Sequence, residues 1–150
     1  MDLAKTAPGK VFTVAGSKYK VLTNVKGKTP GTVVLTVAKK SGASLTIPAT
    51  VKLNNKTFKV VQIASNAFKG SKAKTVTVGA NVNKIAANAF KGAKAKKLIV
   101  MTKLLKKANV KKCLSGSKVK TVQVKAGAKA KKAYKKIFTK KIAGKKVKIK

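Results

Sequence analysis

The thirteen residues Asn66–Val78, NAFKGSKAKTVTV, return twenty-two positions later as Asn88–Val100, NAFKGAKAKKLIV, with nine of the thirteen letters in place. A chain that repeats itself at a fixed interval builds one small piece of structure several times, and each piece must bury its apolar side against its copies. The repeat reaches beyond these two copies. Short β-type segments recur at SLTI (44–47), KTVTV (74–78), KKLIV (96–100), KTVQV (120–124) and KKVKIK (145–150). Lys74, Lys96, Lys120 and Lys145 open the last four, at steps of 22, 24 and 25 residues. The first interval is longer by one hairpin, Val51–Val61. Between the β segments stand Ile63…Ala67-Phe68-Lys69-Gly70, then Ile85…Ala89-Phe90-Lys91-Gly92, and a weaker third copy, Cys113-Leu114-Ser115-Gly116.

A period of 20–29 residues is the mark of a solenoid, in which a strand, a turn and a return segment make one coil. Alternate strand residues face inward. The expected inner ladder is Val76 and Val78, Leu98 and Val100, Val122 and Val124, Val147 and Ile149, with Val82, Ile85 and Phe90 on the return side. The outer rows read Thr75, Lys97, Thr121, Lys146 and Thr77, Ile99, Gln123, Lys148. Gly70, Gly92 and Gly116 suit left-handed caps after a short turn of helix, and Asn66 and Asn88 suit its N-caps. In AKAKKAYKKIFTKK the apolar residues Ala130, Ala133, Tyr134, Ile137 and Phe138 fall on one helical face, which predicts a helix over 128–141 that covers the last coil.

Upstream, KVFTVAGSKYKVLT predicts a hairpin, Val11–Val14 and Tyr19–Leu22 around Ala15-Gly16-Ser17. Asn24–Pro30 is a loop, GTVVLTVAKK and ASLTIPATV are strands, and VKLNNKTFKVV is a hairpin with Asn54-Asn55 at its tip. The whole is mainly β with short helices: a leader or linker over 1–10, an N-terminal β region over 11–42, and a leucine-rich-repeat-like solenoid over 43–150. A helix-strand cap over 128–150 closes it.

The basic residues number 38, all of them lysine, against one acid, Asp2, for a net charge of +37. Residues 76–150 carry 24 of the lysines and the last 26 residues carry 12, so charge rises toward the C-terminus. With almost no internal ion pairs, lysines repel one another, and the chain attracts polyanions. The chain has no His and no Glu, so the usual acid–base groups and metal ligands are missing, which predicts a non-enzymatic protein without metal or cofactor. The single cysteine, Cys113, forms no internal disulfide. It holds the slot of Ala67 and Ala89, which makes it a small buried residue, while a reactive or intermolecular thiol, its thiolate favoured by Lys111 and Lys112 beside it, is the other reading. No apolar run reaches the roughly 20 residues of a membrane span, and MDLAKTAPGK shows no signal peptide.

The stretch TVTVGANVNKIAANAFKGAKAKKLIV, Thr75–Val100, resembles the BspA-like, or Treponema-type, leucine-rich repeat: a short strand, V-x-x-I, x-x-A-F-x-G, and the next strand. Leu45–Gly70 fits with a hairpin inserted, and 98–124 fits loosely. The C-terminal AYKKIF…KKVKI is similar to the ends of such proteins in anaerobic gut bacteria. The resemblance implies a secreted or cell-surface bacterial protein, a fragment of something longer, with adhesion to host or bacterial partners. It transfers no catalytic or binding residue.

Three functional classes follow. One is a surface module whose lysines dock to anionic polymers, teichoic acid or acidic glycans; lysine suits an irregular polyanion as a flexible point charge. The expected contact residues are Lys97, Lys125, Lys131, Lys132, Lys135, Lys136, Lys146, Lys148 and Lys150, and a host or bacterial surface protein is a further partner. The second is a non-specific nucleic-acid binder, without the Arg forks of sequence readout. The third is membrane-surface association through the 128–141 helix. Lysines that only confer solubility are the bland alternative.

Overall fold

Ala15-Gly16 and Asn54-Asn55 take positive φ (50° and 86°, 50° and 62°), as two-residue hairpin turns require. In the computed structural model, which describes residues 8–150, these turns join β1 (Val11–Val14) to β2 (Ser17–Thr23), and β5 (Thr50–Leu53) to β6 (Lys56–Ile63). The first strand pair matches the expected hairpin, with β2 longer at both ends. The leader reading of residues 1–10 lies, through residue 7, outside the described residues.

The chain then alternates between two sheets. In the first, β2 pairs antiparallel with β3 (Gly31–Val37), and β3, β6 and β8 (Lys84–Ile85) run parallel. The second is parallel throughout: β4 (Ser44–Thr46), β7 (Thr75–Val78), β9 (Lys97–Val100), β10 (Thr121–Val124) and β11 (Lys148–Ile149). A strand of the first sheet leads to a strand of the second (β3 to β4, β6 to β7, β8 to β9), and successive coils lie side by side. ASLTIPATV therefore does not form one strand. It leaves the second sheet after Thr46 and enters the first at Thr50.

Between the sheets the repeat lines up apolar residues coil by coil. Leu45, Val76, Leu98, Val122 and Ile149 share one register position, and Leu35, Ile63 and Ile85 share another. Val76, Val78, Leu98, Val100 and Val122 are fully buried, as are Val82, Ile85 and Phe90. Each such side chain contributes roughly 1.5–3 kcal/mol by burial. Val124 and Ile149 are only half-buried, because they sit in the last coils, where fewer neighbours cover them. The Phe68 and Phe90 rings stack at 4.6 Å and 14°, close to the ~4.8 Å spacing of adjacent strands.

The turns bearing A-F-x-G are bonded across coils. The Asn66 N–H donates to Asn88 O (3.1 Å), Asn88 N–H to Lys112 O (2.9 Å), and Lys112 N–H to Ile142 O (2.6 Å). Asn66 and Asn88 are not helix N-caps. Their φ values, 58° and 61°, are left-handed, whereas an N-cap is extended, and turns rather than a helix follow them. The coil must turn a corner here and keep its N–H for the neighbour. Lys112, at φ 55°, takes the same conformation in the third copy. Gly70, Gly92 and Gly116 are left-handed as expected, at 78°, 78° and 72°.

The C-terminal helix is two helices, α1 (Ala128–Ile137) and α2 (Lys140–Ala143), where the apolar pattern predicts one. Thr139 caps α2, its Oγ1 accepting the Ile142 N–H at 3.2 Å. The buried stripe is narrower than the predicted face. Ala130, Tyr134 and Phe138, four residues apart, point inward, while Ala133, about 100° round the helix from Tyr134, is exposed. The Tyr134 hydroxyl donates to Thr102 O (2.5 Å) and accepts the Leu105 N–H (3.3 Å).

The last strand is also displaced from expectation. Lys148, not Lys146, shares the row of Thr75, Lys97 and Thr121, and Ile149 faces Val122. Leu114 N–H bonds Ala143 O, so Ala143 lies where Ala67, Ala89 and Cys113 lie in earlier coils. Only five residues separate Ala143 from Lys148, against eight from Cys113 to Thr121, so this shortened turn breaks the period. No helix among the described residues is long and apolar enough to cross a membrane.

Candidate functional site

The nine lysines singled out in the sequence fall into two groups and a remainder. Lys97 and Lys148 lie on the outer face of the parallel sheet in one row, with Thr121 between them. Lys135 and Lys146 meet across a groove of about 450 Å³, shared with Lys140, Phe138 and Ile149, between the helices and β11. Lys125, Lys132, Lys136 and Lys150 are exposed nearby, and Lys131 is half-buried. The structure thus gathers some of these lysines at the C-terminal end without making one continuous surface of all of them.

A more ordered arrangement lies along one edge of the stack. After its left-handed glycine, each coil reaches the parallel sheet through three alternating residues: Lys72-Ala73-Lys74, Lys94-Ala95-Lys96 and Lys118-Val119-Lys120. The middle residue is buried each time, and the flanking lysines are exposed. This is a strand-like period of two, laid just outside the strands. Lys94 N–H bonds Ser71 O (3.1 Å), Lys96 N–H bonds Lys74 O (2.9 Å), and Lys120 N–H bonds Lys96 O (2.8 Å). Those bonds hold the coils in register, so the lysines form two columns, Lys72/Lys94/Lys118 and Lys74/Lys96/Lys120.

Neighbours within a column are about 4.8 Å apart at the backbone, and the columns are roughly 6.7 Å apart. Both separations fall inside the screening length of about 8 Å at physiological salt. The potentials of the six ammonium groups therefore add. A cavity of about 460 Å³ is lined by Asn66, Lys69, Lys91, Gly92 and Gly116, the last two standing two residues before Lys94 and Lys118. The glycines let the lysine stems lie flat across the next turn. A Cβ on Gly92 would stand 3.3 Å from Lys69 Cγ, and one on Gly116 would stand 3.0 Å from Lys91 Cγ.

The edge offers cationic groups almost exclusively. Ser71 and Ser117 are turned inward, each Oγ near the N–H two residues on, of Ala73 (3.4 Å) and Val119 (3.3 Å). Lys145 extends the basic edge toward the last coil, with its Nζ donating to Ser117 O at 2.6 Å. The signal for these columns was present in the sequence. K-A-K, K-A-K and K-V-K recur before three strands, but they read as strand openings rather than as a surface.

Cys113 is fully buried, and that burial pushes its thiol up to about 12. The cause is desolvation by burial, only partly offset by a backbone hydrogen bond, and it overturns the reactive-thiolate reading; Lys111 and Lys112 are exposed.

No family model matches the chain, and no curated protein matches it. Solved structures do match. The chain is similar to the pneumococcal vaccine antigen PcpA, at 27% identity and TM-score 0.50, over 79% of this chain and 30% of that one. It is similar to a leucine-rich repeat protein from Bacteroides capillosus, at 19% identity and TM-score 0.55, over 77% of this chain and 83% of that one. A leucine rich cell surface protein from Faecalibacterium prausnitzii matches at 19% identity and TM-score 0.48, over 75% of this chain and 26% of that one. The chain thus spans under a third of PcpA. Together with the strand register above, the Bacteroides likeness gives the fold: a mainly β repeat architecture of the leucine-rich kind.

Proposed function

We propose that this chain is a non-enzymatic solenoid module of the BspA-like leucine-rich repeat type, part of a secreted or cell-surface bacterial protein, that docks to anionic polymers. Teichoic acid and acidic glycans are the ligand class. The likeness to a pneumococcal vaccine antigen supports the surface setting. The observation that carries the binding reading is the register of unpaired lysines. A repeat that places ammonium groups in columns on one edge, in a chain with a single acid, concentrates positive potential where a polyanion can follow it. Lysines serving solubility alone need no register, and solubility is normally achieved with mixed signs.

The C-terminal lysines Lys97, Lys125, Lys131, Lys132, Lys135, Lys136, Lys146, Lys148 and Lys150 add a second basic area at the end of the stack. Binding to isolated bacterial cell walls tests the reading. The module should be retained by native walls and released, or never bound, once teichoic acid and acidic glycans are stripped. Retention unchanged by stripping would point to a protein or neutral glycan ligand instead.

A further inference from the structure

We infer that the ligand is a single-chain polymer of phosphate groups, lying along the stacking direction over the two lysine columns, Lys72/Lys94/Lys118 and Lys74/Lys96/Lys120. The inference rests on the polyanion reading above and narrows it in chemistry, place and direction. Place comes from register: among the described residues, this edge repeats an exposed lysine at the same position in three consecutive coils, and Gly92 and Gly116, two residues before Lys94 and Lys118, line a groove.

Direction comes from spacing. A chain running along the stack meets a new pair of column lysines about every 4.8 Å. A chain running across it meets two column lysines per coil and then leaves the edge. Chemistry comes from what the edge lacks. It presents no aromatic ring for stacking a base or sugar, its serines are occupied internally, and Asn66 alone lines the groove with a neutral polar side chain, so neutral hydroxyls gain little there. Recognition must come from charge density. Two columns supply an ammonium group about every 2.4 Å of stack, half the coil spacing. A chain of directly linked phosphates approaches that density, a glycerol-phosphate chain, with six bonds between phosphorus atoms, comes less close, and a glycan charged once per disaccharide less close still. Duplex DNA has the density, one charge per roughly 1.7 Å, but its strands wind away from a straight column.

The experiment compares two triple variants of the full chain, K72Q/K94Q/K118Q on the edge and K132Q/K135Q/K136Q on α1, which remove equal charge. All six lysines are exposed, and circular dichroism and thermal melting confirm that each variant folds. Binding is measured by titration with inorganic polyphosphate and with glycerol-phosphate polymer, across a salt series. A sulfated glycan and duplex DNA serve as competitors at equal charge. The edge variant should lose at least tenfold in affinity, and its log–log salt slope should fall by about 2, from about 0.7 per lost contact. The helix variant should lose under threefold. Binding of either phosphate polymer in this pattern supports the inference, and the stronger of the two names the source. Equal losses in both variants, or duplex DNA competing as well as the single chain, overturn the axial phosphate site while leaving polyanion docking intact. Binding of none of the polymers overturns both.

Discussion

Replacing Phe90 with alanine should remove a large share of the stability of the whole chain. Phe90 is fully buried, with one ring face stacked on Phe68 at 4.6 Å and Leu114 of the next copy in the corresponding place. A Phe→Ala change in a core costs about 3–5 kcal/mol, the upper end applying where the site cannot collapse. Collapse is resisted here, because the walls are neighbouring turns tied by Phe68 N–H to Ala89 O (3.1 Å) and Asn88 N–H to Lys112 O (2.9 Å). Loss of the stacked pair adds about 1 kcal/mol. The expected cost of about 4–6 kcal/mol is a quarter or more of a typical domain's 5–15 kcal/mol. Phe12, half-buried on the terminal strand β1, should cost about 1–2 kcal/mol when truncated. Urea unfolding followed by circular dichroism is the assay; guanidinium chloride is unsuitable because it is itself a salt and would screen the lysines. A Phe90→Ala cost below that of Phe12→Ala would show that the A-F-x-G ring is not an interior element.

Three further outcomes follow from the same structure. Raising sodium chloride from about 0.1 M to about 1 M shortens the screening length from about 10 Å to about 3 Å, so the urea midpoint should rise; a fall would mean lysine repulsion is not a significant burden on the fold. Tyr134→Phe leaves Thr102 O without its hydroxyl donor and should cost about 1–3 kcal/mol, read as a shift in urea midpoint at unchanged slope. The Cys113 thiol is raised in the fold from its ordinary 9.0 to about 12. The folded state therefore favours the protonated form, so its stabilising contribution is intact below pH 9 and fades as pH climbs toward about 12. Relative to Cys113→Ala, the parent chain should lose stability over that window, and a flat difference would place the thiol in water.

The sequence made the repeat legible because identical coils need identical letters. Ala67-Phe68 and Ala89-Phe90 announced the interior, and the alternation in TVTV and KLIV set the inward valines. What escaped it were features decided between coils. Asn66 and Asn88 resemble helix caps when read locally, yet their N–H groups are committed to the neighbouring turn. The last strand slipped by two positions because α2 leads through Gly144 straight into the edge, a shortcut that a count from lysine to lysine cannot detect. The lysine columns were visible as K-A-K repeats, but only a fixed coil register turns such repeats into a surface. The emphasis on the C-terminal lysines followed their abundance, and abundance says little about alignment.

The claim on which the rest depends is that coils stack in the stated register, bringing Lys72 beside Lys94. In a Cys113→Ala background, the double variant K72C/K94C places two cysteines on adjacent coils about 4.8 Å apart, within the usual Cα range for a disulfide. K72C/K96C, offset by two residues, separates them by about 8 Å, beyond that range. Mild oxidation followed by mass spectrometry should show rapid bridging in the first variant and little in the second. Equal bridging in both, or bridging only in the offset pair, would contradict the stacked register and the lysine edge built on it.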